Sequence, residues 1–253
     1  MFDKCIFLLT LVTFATSGFA QKHLSERETD GYKSNVMSVK TERARLKSES
    51  GKWVEEKRQM DSVVSYDLDG NRVKYDLYDY RGNLFELSTY LVIDGDRAVK
   101  NEFKTYDYDP PLMAPGSKAD SKPRDSRFSY KFKYKYDDKG RRTEQAWYSN
   151  DGSLWLRYVS VYDEKGNEIE WFRYNADGSV NGRSTAIYDA GGNEVEKTWY
   201  RANGALSEKW QYDCELDAKK NWIKRSSKKQ VTRDGKSFFE PYDITYRQIT
   251  YFK

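Results

Sequence analysis

The sequence predicts an all-β protein: an antiparallel up-and-down meander of about fourteen strands, coiled or rolled into a single curved sheet. The first observation behind this is a repeat. YDDKGR, YSNDGS, YDEKGN, YNADGS, YDAGGN and YRANGA begin at Tyr136, Tyr148, Tyr162, Tyr174, Tyr188 and Tyr200, so alternate copies lie 26 residues apart with a step of 12 inside each pair. That is the period of one β-hairpin. The second is turn chemistry. In D-x-x-G-N, Asp163 accepts from the backbone, two residues fill the αR positions of a type I turn, and Gly166 supplies the left-handed residue before Asn167. Asp189, Gly192 and Asn193 repeat it, while Asn150-Asp151-Gly152, Asp177-Gly178 and Asn203-Gly204 carry the Asn/Asp-Gly pair that tight hairpins prefer. The third is the spacing between turns, about seven to nine residues rich in Tyr, Trp, Val and Thr, which suits a strand and leaves no room for a helix.

In chain order, Met1 to Ala20 reads as a secretory signal peptide. Lys4 is a weak n-region, Cys5 to Phe14 the apolar run, and Gly18-Phe19-Ala20 the small-residue cleavage site, so cleavage is expected near Ala20 and the destination is secreted or periplasmic. Residues 21–34 are polar and read as a flexible arm, and residues 35–253 as a single meander domain. Val36 to Leu46 and Trp53 to Tyr66 read as long strands joined around Gly51. YDLDGN at Tyr66 and YDYRGN at Tyr78 are degenerate copies of the repeat, followed by Asp94-Gly95. Residues 108–127 hold four of the five prolines and read as a long loop within the sheet, the alternative being a linker between two half-sheets. Asn221 to Gln230 and Phe238 to Phe252 form a last hairpin around Asp234-Gly235. Because successive turns alternate ends, those at Asp67, Asp94, Asp137, Asp163, Asp189 and Asp217 belong to one rim. Those at Asp79, Asn150, Asp177, Asn203 and Asp234 belong to the other, with the Pro-rich loop.

YKYDDKGR at Tyr134 to Arg141, with YDEKGN and YDAGGN, resembles the YD (RHS-type) repeats of secreted and surface bacterial proteins, whose long antiparallel sheets curl into shells. The ends, SVKTE at Ser38 and NWIKR at Asn221 followed by EPYDITYRQITY at Glu240, are similar to a narrower set of uncharacterised secreted bacterial proteins. The resemblance implies architecture and compartment. The chain is too short for a toxin-enclosing shell and carries neither the self-cleavage core motif nor a toxin tail.

Composition excludes several functions. Mean hydropathy is -0.96, with 33% charged and 16% aromatic residues, so Tyr and Trp must do most of the packing. The 44 basic and 40 acidic residues are interspersed, without the basic patch nucleic acid demands. Cys214 has no partner once Cys5 leaves with the leader, and reads as a packed thiol. The single histidine, His23, lies in the polar arm, and no hydrolase, zinc, Walker or dinucleotide motif is present. Asp67, Asp69 and Asn71 open like a calcium loop, but Gly70 stands fourth instead of sixth and no glutamate closes it, so they read as a turn. No cofactor or metal is expected. Glu168, Glu170, Arg173, Glu196 and Lys197 charge both strand faces, which excludes a lipid-facing barrel. The expected function is non-enzymatic binding or scaffolding at the cell envelope, with an envelope protein or glycan as partner. The competing reading is an extracellular glycan or cell-wall hydrolase using an acid pair. The candidate binding residues are Trp147, Trp171 and Trp199. Period-two alternation places them on one face, opposite Tyr148, Tyr174 and Tyr200, in a row spaced roughly 10 Å. That row is either a rolled-up core or an open platform for stacking a polymer.

Overall fold

A computed structural model describes residues 23–79, 81–93, 96–103, 127–149 and 151–253. The expected signal peptide, the Asp94-Gly95 turn, Asn150 and the Pro-rich loop up to residue 126 lie outside them.

Among the described residues a short helix, α1 (Glu26–Thr29), precedes fifteen strands: β1 (Val36–Glu49), β2 (Lys52–Glu55), β3 (Gln59–Tyr66), β4 (Arg72–Tyr78), β5 (Leu84–Ile93), β6 (Asp96–Phe103), β7 (Arg127–Tyr136) and β8 (Arg142–Tyr148), then β9 (Leu154–Tyr162), β10 (Glu168–Asn175), β11 (Val180–Tyr188), β12 (Glu194–Arg201), β13 (Leu206–Leu216), β14 (Trp222–Arg233) and β15 (Lys236–Tyr251). From β3 to β15 each strand pairs antiparallel with its neighbours in sequence. β6 pairs with β7 from Arg97↔Phe132 to Glu102↔Arg127, so the two halves flanking the Pro-rich loop form one sheet.

The sheet closes. β1 pairs with β3 on one edge and with β15 on the other, from Val36↔Tyr251 to Arg45↔Asp243. The expected up-and-down meander is present, but the single curved sheet is not open: fourteen strands make a closed barrel, and the twist that rolls the sheet brings its first and last strands together. Closure pairs the backbone groups of both edges, which an open sheet leaves to solvent or to another chain. The expected long strand from Trp53 to Tyr66 is broken at Glu56–Arg58. Its first part, β2, forms a small hairpin with the end of β1 (Leu46↔Glu55 to Glu49↔Lys52), outside the ring.

The turns follow the repeat. In Asp163–Asn167, Asp163 N–H donates to Asn167 O (3.0 Å) and Gly166 N–H to Asp163 O (3.2 Å), while the Asp163 carboxylate accepts from the Asn167 backbone and side-chain amides, both at 2.8 Å. Gly166 has φ +92° and Gly192 φ +76°. The turns at Gly152, Gly178 and Gly204 have the same hydrogen-bond pattern, as in Asn175 N–H to Ser179 O (2.9 Å). The two-residue turns that their Asn/Asp-Gly pairs suggest form instead at Ser50-Gly51 and Asp234-Gly235, where both residues have positive φ. In the last turn of the repeat series Lys220 takes the glycine's place at φ +66°.

The segment expected to be a loose arm is docked from His23 onward. Ser25 and Glu28 form a capping box on α1. Leu24 N–H donates to Gly140 O (2.8 Å), Arg27 N–H to Gly70 O (2.8 Å) and Lys33 N–H to Asn221 Oδ1 (2.7 Å). These are turns of the rim shared by Asp67, Asp137 and Asp217, so the segment runs across the mouth of the barrel there. An eight-stranded barrel is just filled by its own side chains, and a wider ring leaves a lumen. Here the N-terminal segment fills part of it. Tyr32, Val36, Val39, Val64 and Tyr66 form the buried apolar cluster where the segment enters β1.

Candidate functional site in the barrel lumen

The inward face is identified by what meets the N-terminal segment. Asp30 accepts from Arg72 (2.6 Å) and from the Tyr66 hydroxyl; Glu26 accepts from the Arg72 backbone N–H (2.6 Å), the Arg97 guanidinium (2.6 Å) and the Tyr134 hydroxyl (3.2 Å). Side chains from β3, β4, β6 and β7 converge on one helical turn, which only the inside of a ring allows. Burial is the main reason the Tyr66 and Tyr134 phenols sit well above their ordinary range, with Asp30 and Glu26 adding to it.

Cross-strand registers carry this face around the wall. Phe132 opposes Trp147, Trp147 opposes Leu156, and Trp171 opposes Ser160 on one side and Ser184 on the other, with Ser184 opposing Trp199. The three candidate tryptophans therefore share the inward face. Tyr158 links the first two, its ring 6.0 Å from Trp147 and 5.1 Å from Trp171 between centroids. Trp171 and Trp199 meet directly, 5.6 Å apart and edge to face. The expected spacing of roughly 10 Å is backbone spacing. The indoles close it because the residue between them is the small, buried Ser184. All three are partly buried, so they line the lumen and belong to neither a sealed core nor an outer platform.

Tyr148, Tyr174 and Tyr200 point outward, each under a cation from an adjacent strand: Lys133 at 5.3 Å, Arg157 at 4.6 Å and Arg183 at 5.0 Å from the ring centroids. Around them run ion pairs between strands, Arg157–Glu144 (3.0 Å), Arg183–Glu170 and Lys209–Glu196 (2.8 Å).

At the Trp147 end of the aromatic row lies a cavity of ≈ 340 Å³, walled by residues that include Glu26, Arg72, Glu86, Tyr90, Phe132 and Trp147. Its polar groups are incompletely satisfied. Trp147 Nε1 and Arg72 Nε are buried without a hydrogen-bond partner among the described residues. Burial pushes the Glu86 carboxyl above its ordinary value, opposed by a hydrogen bond from Ser88 (2.9 Å). Sequence reasoning found Trp147 and missed the rest. Arg72 and Arg142 did leave a signal: each follows a turn glycine by two positions, a recurrent cation at the rim. Glu26 and Glu28 stand behind Ser25 as a capping-box pattern. Glu86 left none, since an isolated strand glutamate looks like surface.

The turn candidates Asp163, Gly166, Asn167, Asp189, Gly192, Asn193 and Gly178 all sit in hairpin loops and hold no part of the lumen. Asp67 spends its carboxylate on Asn71, by backbone (2.8 Å) and side chain (3.0 Å), and no cluster of metal-ligating side chains occurs among the described residues. His23 stacks on Tyr136 at 3.9 Å. Cys214 is a free thiol on β13, opposite Arg225, and burial raises its pKa.

No known protein family and no curated protein matches the sequence. Among solved structures the chain is similar to a porin-like protein from Bacteroides uniformis ATCC 8492, with 10% identity over 87% of this chain and 98% of that one and a TM-score of 0.46. It is also similar to a porin-like protein from Bacteroides vulgatus ATCC 8482 (13%, 85% and 98%, 0.39). A DUF1329 family protein from Desulfovibrio piger ATCC 29098 gives 10%, 88% and 89%, with a TM-score of 0.30.

Proposed function

We propose that this is a secreted or periplasmic, non-enzymatic YD-repeat protein that binds a glycan segment of the cell envelope inside its barrel. The observation that carries the reading is the aromatic row ending in a cavity whose Trp147 Nε1 and Arg72 Nε lack partners among the described residues. Ligand sites combine apolar and aromatic walls with a few convergent polar groups, and a buried donor without a partner is costly until something accepts from it. A sugar offers both surfaces: C–H faces for the rings and hydroxyls for the donors and for Glu86. The ion pairs on the outward face favour an aqueous surrounding over lipid.

A hydrolase reading draws on Glu26 and Glu86 sharing the cavity wall. Glu26, however, is committed to Arg72, Arg97 and Tyr134, which leaves it neither a free base nor a nucleophile. Retention on immobilised peptidoglycan, with release by soluble peptidoglycan fragments, tests the binding reading. Trp147→Ala should abolish retention, and Trp53→Ala, on the hairpin outside the ring, should not. Equal retention of the two variants sinks the lumen site, and reducing ends generated by wild type but not by Glu86→Gln would favour the hydrolase.

A further inference from the structure

On the wall formed by β14 and β15, away from the cavity, two arginines share one tryptophan. The Arg247 guanidinium lies 3.3 Å from the centroid of the Trp222 ring and 5.0 Å from that of Tyr32. The Arg225 guanidinium lies 4.8 Å from Trp222 and 4.5 Å from Tyr212. Arg225 opposes Thr245 in register and Arg247 opposes Thr41, both buried positions, which puts the pair on the inward face. The Nε atoms of both are buried without a hydrogen-bond partner, and neither guanidinium has a carboxylate partner among the described residues. The acids of this end of the barrel are already engaged. Asp30 is held by Arg72 and Tyr66, Asp217 by Asn221 and Tyr251, and Asp243 lies 3.8 Å from Arg43.

Two like charges held over one ring, partly buried and with no carboxylate paired to either among the described residues, repel one another and lose hydration. Aromatic faces return only part of this. The guanidinium fork is the side chain best matched to oxoanions, which accept two parallel hydrogen bonds from it. We propose that Arg225 and Arg247, braced on Trp222, form a binding site in the lumen for a tetrahedral oxoanion, a phosphate or sulfate group. The site is separate from the glycan cavity and stands without it. Burial, opposed by Tyr32 and reinforced by the neighbouring Arg225 charge, brings Arg247 down to about 10, the direction expected where a cation has no carboxylate partner.

The test is calorimetric titration of the purified protein with inorganic phosphate, and separately with sulfate and acetate, at constant ionic strength in sodium chloride. Saturable binding of phosphate and sulfate is expected. Arg225→Gln and Arg247→Gln should each weaken it at least about tenfold, the loss of one charge-assisted contact. Arg157→Gln, on the outward face, should leave it unchanged. Arg247→Lys keeps the charge and loses the fork, so it should fold and bind phosphate more weakly, which preserves the test if the glutamine variant does not fold. In phosphate-free buffer Arg247→Gln should melt no lower than wild type. Phosphate affinity no greater than that of chloride, or phosphate binding undiminished in Arg247→Lys and Arg247→Gln, would overturn the site, and acetate binding tighter than phosphate would overturn its assignment to tetrahedral anions.

Discussion

Trp171 and Trp199 stand on strands separated by β11, yet their indoles touch edge to face at 5.6 Å because Ser184, between them, is small and buried. Enlarging that residue forces the rings apart. Ser184→Leu should destabilise by about 1 to 3 kcal/mol through overpacking. Trp171→Ala removes a partly buried indole and should cost less than the roughly 3 kcal/mol at which fully buried aromatic truncations begin. Urea denaturation of both variants checks the pair, and a larger loss in Trp171→Ala than in any buried-core truncation would mean that the row is sealed core.

Turn glycines should differ according to what faces them. A Cβ at Gly166 meets nothing within 4 Å, so Gly166→Ala costs only its left-handed backbone, about 1 kcal/mol. At Gly70 a Cβ falls 2.6 Å from Ser25 Oγ and 2.8 Å from Ser25 Cβ. Gly70→Ala should therefore cost more and loosen the N-terminal segment, seen as faster amide exchange at Arg27. Lys220→Gly removes the reverse strain at φ +66° and should raise stability by roughly 1 kcal/mol.

Asp30 joins the N-terminal segment to the wall through Arg72 and Tyr66. Asp30→Ala leaves a partly buried guanidinium and a phenol without their acceptor and should cost about 2 to 3 kcal/mol. Limited proteolysis should then cut within residues 23–34 first. A proteolytic pattern unchanged from wild type would show that the backbone bonds to Gly70, Gly140 and Asn221 hold the segment alone.

The raised Glu86 carboxyl sets the sign of one pH effect. A group whose folded pKa lies above its unfolded value contributes stability that is complete below the unfolded value and lost as pH rises through the folded one. Glu86→Gln removes that loss. Its melting temperature relative to wild type should be higher at neutral pH than in acid below the ordinary glutamate value of 4.5. The turn aspartates act oppositely: hydrogen bonds from the Asn167 and Asn193 side chains, then from backbone amides, lower Asp163 and Asp189, so their contribution is lost as pH falls.

The repeat hairpins from Tyr136 to Tyr212 and the face shared by Trp147, Trp171 and Trp199 are legible in the sequence alone. These are local matters: Asp163, Gly166 and Asn167 close their turn within five residues, and strand alternation has a period of two. The sequence also placed Tyr148, Tyr174 and Tyr200 together on the opposite face. Closure of the sheet is visible only in three dimensions, because Val36 meeting Tyr251 depends on twist summed over every strand, to which no single stretch of sequence testifies. Closure in turn decided which face is inside. It made lumen-lining residues of tryptophans whose exposure could not be read from alternation, and it gave a polar segment, Ser25 to Tyr32, a mouth to occupy. It also put Glu26 and Glu86 on the wall of one cavity and Arg225 and Arg247 over one tryptophan, pairs assembled by position around a ring and unmarked by any motif.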